Sequence, residues 1–247
     1  MPGAAPAGRA ALPGEHALAI AVAVSSLIAA ITMALLLAGG STPTRADSLV
    51  RTAVADVWSE PEPGALVVDW LGSPEALLAQ TALVAVVCLA VNRLRIALVA
   101  GIAPWVVAAV TTGAKPLVAR TIHEPWNLAF PSGHTAATTA VALVAGLLVA
   151  DVLCVRSPGS RIVVALAFGF VGGGAMAAAQ VALDAHYPSD CLGGFLTAIA
   201  AVFLMAVSVD RVVASRNQPA PEETRGGRAA DRGGHDPGAR PERDDGR

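Results

Sequence analysis

Apolar stretches of about 20 residues recur along this chain, and the charged residues collect between them. A stretch of this length can cross the hydrocarbon core of a bilayer as an α-helix, because a helix satisfies its own backbone hydrogen bonds where water is absent. The chain has 247 residues, of which 54% are hydrophobic, and this leaves too little charge to cover a soluble surface. The sequence therefore predicts an all-α, polytopic membrane protein.

Six apolar segments can be distinguished, at about 16–39, 75–92, 96–113, 133–155, 161–183 and 190–212. The first is longer than the core of a signal peptide and is interpreted as a retained helix. We expect a bundle of six transmembrane helices over residues 16–212, with an extracytoplasmic loop at 40–74. Residues 1–15 and 213–247 are rich in Pro, Gly and Ala or in Pro, Gly and charged residues, so both ends are predicted to be disordered.

Arginine is concentrated in the loops and end segments on one side of the predicted membrane. These residues are Arg9, Arg93, Arg95, Arg156, Arg161, Arg211 and Arg216. The positive-inside rule assigns this side to the cytoplasm, which predicts a multi-pass plasma membrane protein with both termini cytoplasmic. The net charge of −2 gives no reason to expect a nucleic acid partner, and no pattern indicates an oligomeric state.

Three polar patches interrupt the apolar pattern near the ends of predicted helices, at 115–120, 131–134 and 186–190. The first patch ends the third helix and the second begins the fourth. Two membrane crossings separate the second patch from the third, so the chain returns to the same side. Topology therefore predicts that all three patches meet at the outer face.

The second patch has the residues of a phosphate-binding helix start. Ser132 is a good N-cap, and Gly133 allows a ligand to approach the backbone N–H groups of the first turn. Lys115, the only lysine of the chain, and Arg120 add positive charge. We therefore predict that Lys115, Arg120, Ser132 and Gly133 bind a phosphate group.

Two histidines, His134 and His186, can then supply a nucleophile and a proton donor for phosphate chemistry. Asp190, four residues after His186, can accept a hydrogen bond from one ring nitrogen and orient the other for attack. The sequence shows no set of metal ligands, and we expect neither a metal nor another cofactor.

The segments Phe-Pro-Ser-Gly-His-Thr at 130–135 and His-Tyr-Pro-Ser-Asp at 186–190 resemble two motifs of the type 2 phosphatidic acid phosphatase superfamily. The resemblance extends to the six-helix layout of residues 16–212. It implies a metal-independent lipid phosphatase in which His186 attacks phosphorus to give a phosphohistidine, with help from Asp190. It also implies that His134 protonates the leaving oxygen.

Two arginines of the family motifs have no counterpart here, because Ile122 and Gln180 stand at their positions. A site with fewer cations favours a monophosphate over a diphosphate. The expected substrates are a polyprenyl phosphate or diphosphate, phosphatidic acid or phosphatidylglycerol phosphate. The alternatives are a degenerate member that binds phospholipid without turnover and a lipid phosphotransferase. A vanadate-dependent haloperoxidase is disfavoured, since those enzymes are soluble.

Overall fold

A computed structural model describes residues 9–57, 63–157 and 159–216 of the chain. Within these ranges eight α-helices and one β-hairpin follow one another. The helices are α1 (His16–Leu37), α2 (Arg45–Val57), α3 (Pro63–Leu71), α4 (Pro74–Ala90), α5 (Leu94–Val118), α6 (Gly133–Val152), α7 (Ser160–Ala182) and α8 (Pro188–Arg216). The strands β1 (Thr121–Ile122) and β2 (Glu124–Leu128) form an antiparallel pair between α5 and α6.

Five of the described helices, α1, α5, α6, α7 and α8, are long and apolar enough to cross a membrane. Helices α3 and α4 form a sixth candidate span together, and they are bent by 63° at the break between them. These elements overlap the six apolar segments of the sequence. The prediction of an all-helical, polytopic bundle is therefore confirmed.

The break between α3 and α4 has a local cause in the sequence. Ser73 is the N-cap of α4, and its hydroxyl accepts a hydrogen bond from the Ala76 N–H at 3.2 Å. Pro74 occupies the first helical position, where a missing N–H leaves no intrahelical bond unmade. The side-chain amide of Gln80 donates to the Leu71 carbonyl at 2.7 Å and so ties the end of α3 to α4. Helix α3 is thus held at a fixed bend from α4.

The predicted outer loop at 40–74 is largely helical, since it contains α2 and α3. Helix α2 begins with a capping box in which the Thr44 hydroxyl accepts from the Asp47 N–H at 3.1 Å, while the Asp47 carboxylate accepts from the Thr44 N–H at 2.9 Å. Neither helix alone is long enough to cross a membrane.

Helix α6 packs closely against α7 because small residues line their interface. A Cβ at Gly146 would lie 2.7 Å from the Cα of Ala165, and one at Gly173 would lie 2.2 Å from the Thr139 hydroxyl oxygen. Small residues let helix backbones approach within a membrane, where packing drives helix association. In contrast, α1 exposes apolar side chains such as Leu36, which is 79% exposed, as expected for a helix that faces lipid.

A buried carboxylate, Asp151, joins three helices at the end of α6. It accepts a hydrogen bond from the Arg161 Nη1 of α7 at 2.9 Å and another from the Nε of Arg93, which caps α5. Removing one partner of such a buried pair would leave an uncompensated charge, so the network fixes the three helices relative to one another.

Asp210 of α8 has an equivalent role for the N-terminal segment. Its carboxylate accepts from the backbone N–H groups of Ala11 at 2.8 Å and Leu12 at 2.9 Å. It also pairs with Arg95 at 3.3 Å and with His16 at 3.2 Å. Ala11 and Leu12 are fully buried. The prediction that all of residues 1–15 are disordered is therefore corrected for this part.

The C-terminal boundary also differs from the predicted one. Helix α8 continues to Arg216, beyond the predicted boundary at residue 212. Residues 1–8 and 217–247, which make up the rest of the ends predicted to be disordered, lie outside the described residues.

Candidate active site

The three polar patches lie at the same end of the bundle, here called the site face. It comprises the C-terminal ends of α1, α5 and α7 and the N-terminal ends of α6 and α8. Ala119 caps the C-terminal end of α5, and its left-handed backbone (φ 52°) turns the chain toward β1. The Gly39 N–H donates to the Val118 carbonyl at 2.9 Å and joins the end of α1 to the end of α5. Helices α2 and α3 pack against the neighbouring end of α7, so they cover part of this face.

His134, in the first turn of α6, is partly exposed at the site face. Its ring packs so closely on Gly72 that a Cβ at residue 72 would lie 2.5 Å from the His134 Cδ2. Its Nε2 lies 3.8 Å from an oxygen of Asp69 in α3. The charge of His134 also interacts with those of His186 and Lys115. The structure thus brings both predicted histidines and the lysine into one cluster.

His186 lies in the connection between α7 and α8 and is buried. Its Nδ1 is 3.8 Å from an Asp190 carboxylate oxygen, beyond hydrogen-bond distance, and has no hydrogen-bond partner among the described residues. That oxygen accepts from the Tyr187 backbone N–H at 3.0 Å. Catalytic hydrogen bonds are often long in the absence of substrate, and a small ring movement would pair Nδ1 with Asp190.

Ser132 is the N-cap of α6, and its hydroxyl accepts a hydrogen bond from the Thr135 N–H at 3.4 Å. It is fully buried, and its carbonyl accepts from the Ala136 N–H at 3.1 Å. These bonds leave the N–H groups of Gly133 and His134 without an intrahelical acceptor, as at any helix start. An anion at this point would meet two backbone donors and the positive end of the helix dipole.

Lys115, in the last turn of α5, is partly buried and forms no ion pair or hydrogen bond within the described residues. Its charge interacts with those of His134 and Asp190. A partly buried cation without a close counter-ion is available to an anionic ligand.

Arg120 has a different environment, because its side chain is only 1% exposed and is held by carboxylates. One terminal nitrogen, Nη1, donates to Asp190 at 2.6 Å and to the Ser189 hydroxyl at 2.7 Å. The other, Nη2, donates to Asp47 at 2.9 Å, and the guanidinium stacks over the Tyr187 ring at 4.5 Å. The structure therefore places Arg120 behind the site, where it fixes the carboxylate beside His186.

Asp47 completes this buried arrangement from α2. Its carboxylate accepts from the Ser189 N–H at 2.8 Å, in the first turn of α8, as well as from Arg120 and Thr44. Burial acts to raise the pKa of Asp47, but hydrogen bonds from Ser189 and Thr44 outweigh it and lower the pKa from 3.8 to about 2. Asp47 was not predicted as a site residue, although Thr-x-x-Asp before a helix is the capping-box signal.

Asp69 is a second acidic residue that the sequence analysis missed. It accepts a hydrogen bond from the Gln180 side-chain amide of α7 at 2.5 Å while it faces His134. Its only signal in the sequence is a lone acid within the apolar run of α3. Gln180 and Ile122, which stand at the positions of the absent arginines, are both buried. Within the described residues no cluster of three or more His, Cys, Asp or Glu side chains could hold a metal ion.

We expect the ionised form of Asp47 to stabilise the folded protein. Because its pKa is about 2 in the folded state and 3.8 unfolded, this contribution is fully present above pH 3.8 and is lost as the pH falls toward 2. The loss is on the order of 2 kcal/mol. Thermal unfolding in detergent between pH 5 and pH 2, roughly the range over which such linkage acts, should be less pH-dependent for Asp47→Asn than for wild type. Glu124→Gln, at an exposed acid, should retain the wild-type dependence; identical curves for all three proteins would contradict the prediction.

Residues 73–214 match the family model of the PAP2 superfamily. No curated protein and no solved structure matched the chain. The matched segment runs from the N-cap of α4 into the last turn of α8 and contains both histidines of the site. It covers more than half of the chain, and members of this superfamily are generally phosphatases. The chain therefore belongs to the PAP2 superfamily, and this membership implies phosphatase-type activity on a lipid or another phosphate ester.

Proposed function

We propose that this protein hydrolyses the phosphate monoester of a membrane lipid through a phosphohistidine on His186. The observation that carries the proposal is the cluster of His134, His186 and Lys115 at the N-terminal end of α6. Family membership supports the general reaction class. The membrane-spanning helices support a substrate that is itself held in the bilayer.

In the proposed reaction, Nδ1 of His186 faces Asp190, so Nε2 is the nitrogen that attacks. A bond forms between Nε2 and phosphorus as the bond from phosphorus to the lipid oxygen breaks, and His134 transfers its proton to that oxygen. Water then attacks the phosphohistidine and gives a proton to His134. The bond from Nε2 to phosphorus breaks, and inorganic phosphate leaves.

The phosphate would be held by Lys115 and by the free N–H groups of Gly133 and His134. We assign Arg120 to the positioning of Asp190, because its guanidinium is buried against two carboxylates. Asp69 adds a negative charge beside the site. With Lys115 as the available cation, the arrangement favours a monophosphate over a more highly charged diphosphate.

A cavity of about 350 Å³ beside the site supports a lipid substrate. Its apolar lining comes from α2, α7 and α8, including Val54, Phe170, Leu192 and Phe195. It reaches Thr135, the residue after His134. We assign this cavity to the hydrocarbon chain of the substrate. Burial of the apolar chain between the helices is favourable, and the phosphate would remain at the polar end of the cavity.

We further propose that the site face is extracytoplasmic and that the protein is in the plasma membrane. The arginines of the connections α4–α5 and α6–α7 and of the end of α8 lie at the opposite end of the bundle. The positive-inside rule assigns that end to the cytoplasm. The substrate would then be taken from the outer leaflet.

The first test is phosphate release from a panel of lipids in detergent with a chelator present. We expect release from a monophosphate lipid, a lower rate from the diphosphate of the same lipid, and an acid-labile phosphoenzyme. His186→Ala should lower the rate by at least about 10³-fold, and His134→Ala by about 10²-fold or more.

His123→Ala is the matched control, because His123 lies on the same face but bonds to Asp184. Its rate should stay near that of wild type. Binding of phospholipid without release would favour the degenerate binding protein, and a phosphorylated acceptor would favour the transferase. Equal rates for the two forms of one lipid would remove the preference for the monophosphate.

The topology can be measured with reporters fused after Arg216 and inserted near residue 60. The first should report the cytoplasm and the second the exterior. The reverse pattern would place the site on the cytoplasmic leaflet.

The cavity can be tested at Gly174, where an added Cβ would meet no atom within 4 Å. Gly174→Leu should raise the KM for a long-chain lipid by about tenfold, because its side chain occupies the space of the hydrocarbon chain. Turnover of a water-soluble phosphate ester should not change. Gly101→Leu is matched, since Gly101 is equally open and lies in α5, away from the cavity. An equal effect of the two substitutions would refute the assignment.

A further inference from the structure

Asp69 occupies a constrained place beside the candidate acid. Helix α3 reaches the site face. The close packing of Gly72 on the His134 ring sets the distance between the end of α3 and α6. The Gln180 amide holds one Asp69 oxygen at 2.5 Å, and the same oxygen lies 3.8 Å from the Nε2 of His134. Asp69 is therefore fixed from α7 while it faces α6.

The charged groups near His134 differ in sign, and they differ in whether another residue already pairs with them. His186 comes from the α7–α8 connection and Lys115 from α5, and both disfavour a positive charge on the His134 ring when they are protonated. Asp69, from α3, is the carboxylate that opposes them. Asp190, the other carboxylate of the cluster, is bound to Arg120. The protonated ring of His134 thus depends mainly on Asp69 for compensation.

We infer that Asp69 is a positioning residue that stabilises the protonated ring of His134, from which a proton is delivered to the leaving lipid oxygen. The inference rests on the proposed function, in which His134 is the acid. A carboxylate that faces one ring nitrogen orients the ring and stabilises its cationic form, in which both nitrogens carry a proton and the other nitrogen can release one. Gln180 has a neutral amide, so it fixes Asp69 without cancelling its charge. Asp69 also precedes the segment that matches the family model, which begins at residue 73.

The test compares two leaving groups in the same variant. Asp69→Asn keeps the shape of the side chain and an oxygen that can accept from Gln180, but it removes the charge. The rate of phosphoenzyme formation is measured in single turnovers with a long-chain alkyl phosphate and with an aryl phosphate. The alkoxide needs a proton to leave, whereas the aryl oxide does not.

We expect Asp69→Asn to slow phosphorylation by the alkyl phosphate about tenfold or more and to change that by the aryl phosphate less than about twofold. Asp69→Glu should recover most of the alkyl rate. Glu75→Gln, which removes an exposed acid at the start of α4, should leave both rates near wild type.

Equal losses on both substrates would show that Asp69 only supports the fold, and no loss on either would show that it has no part in the reaction; each result overturns the inference. A folding defect lowers both rates together, so it cannot produce the expected contrast.

His186→Ala in the same assay separates the two proposals. If that variant keeps its activity, the proposed function fails, whereas an inactive His186→Ala with a fully active Asp69→Asn refutes only the role of Asp69.

Discussion

The two ion pairs of the buried Arg120 guanidinium are the interactions on which the site face depends. Arg120 lies just after α5, and its guanidinium bonds to Asp47 of α2 and to Asp190 of α8. Arginine suits this place because its planar fork can bond to two carboxylates at once. Removal of the guanidinium would leave two carboxylates buried without their cation, which is far more costly than the loss of a surface pair.

This arrangement separates two uses of positive charge. Arg120 is bound to carboxylates of the protein itself, while Lys115, in the last turn of α5, has no ion-pair partner in the described part of the chain. The start of α6 supplies further positive potential without any side-chain cation, through its unpaired N–H groups. The proposed phosphate site therefore retains one lysine and backbone donors, although Ile122 and Gln180 stand at the positions of the family arginines.

Much of the fold and part of the site could be predicted from local patterns. Apolar segments located the spans, and the Pro-Ser-Gly-His segment located the cap of α6. The environments of Arg120 and Asp69 could not be predicted in this way. Arg120 pairs with Asp47 across 73 positions in the chain, and Asp69 pairs with Gln180 across 111. Both contacts depend on how α2 and α3 fold back over the bundle. No periodicity within either of these short helices specifies that path.

The pairing of Asp210 with the first described residues has a consequence for how the protein is made. Its contact with Ala11 spans 199 positions, so the segment before the first described helix bonds to the last described helix, which is synthesised much later. Until α8 is inserted, Arg95 and the N–H groups of Ala11 and Leu12 lack their acceptor. The segment that contains Ala11 and Leu12 can thus dock only after α8 has been inserted into the membrane. We expect the bundle to close in a late, cooperative step, and chains that stop before α8 should remain open to quality-control proteases.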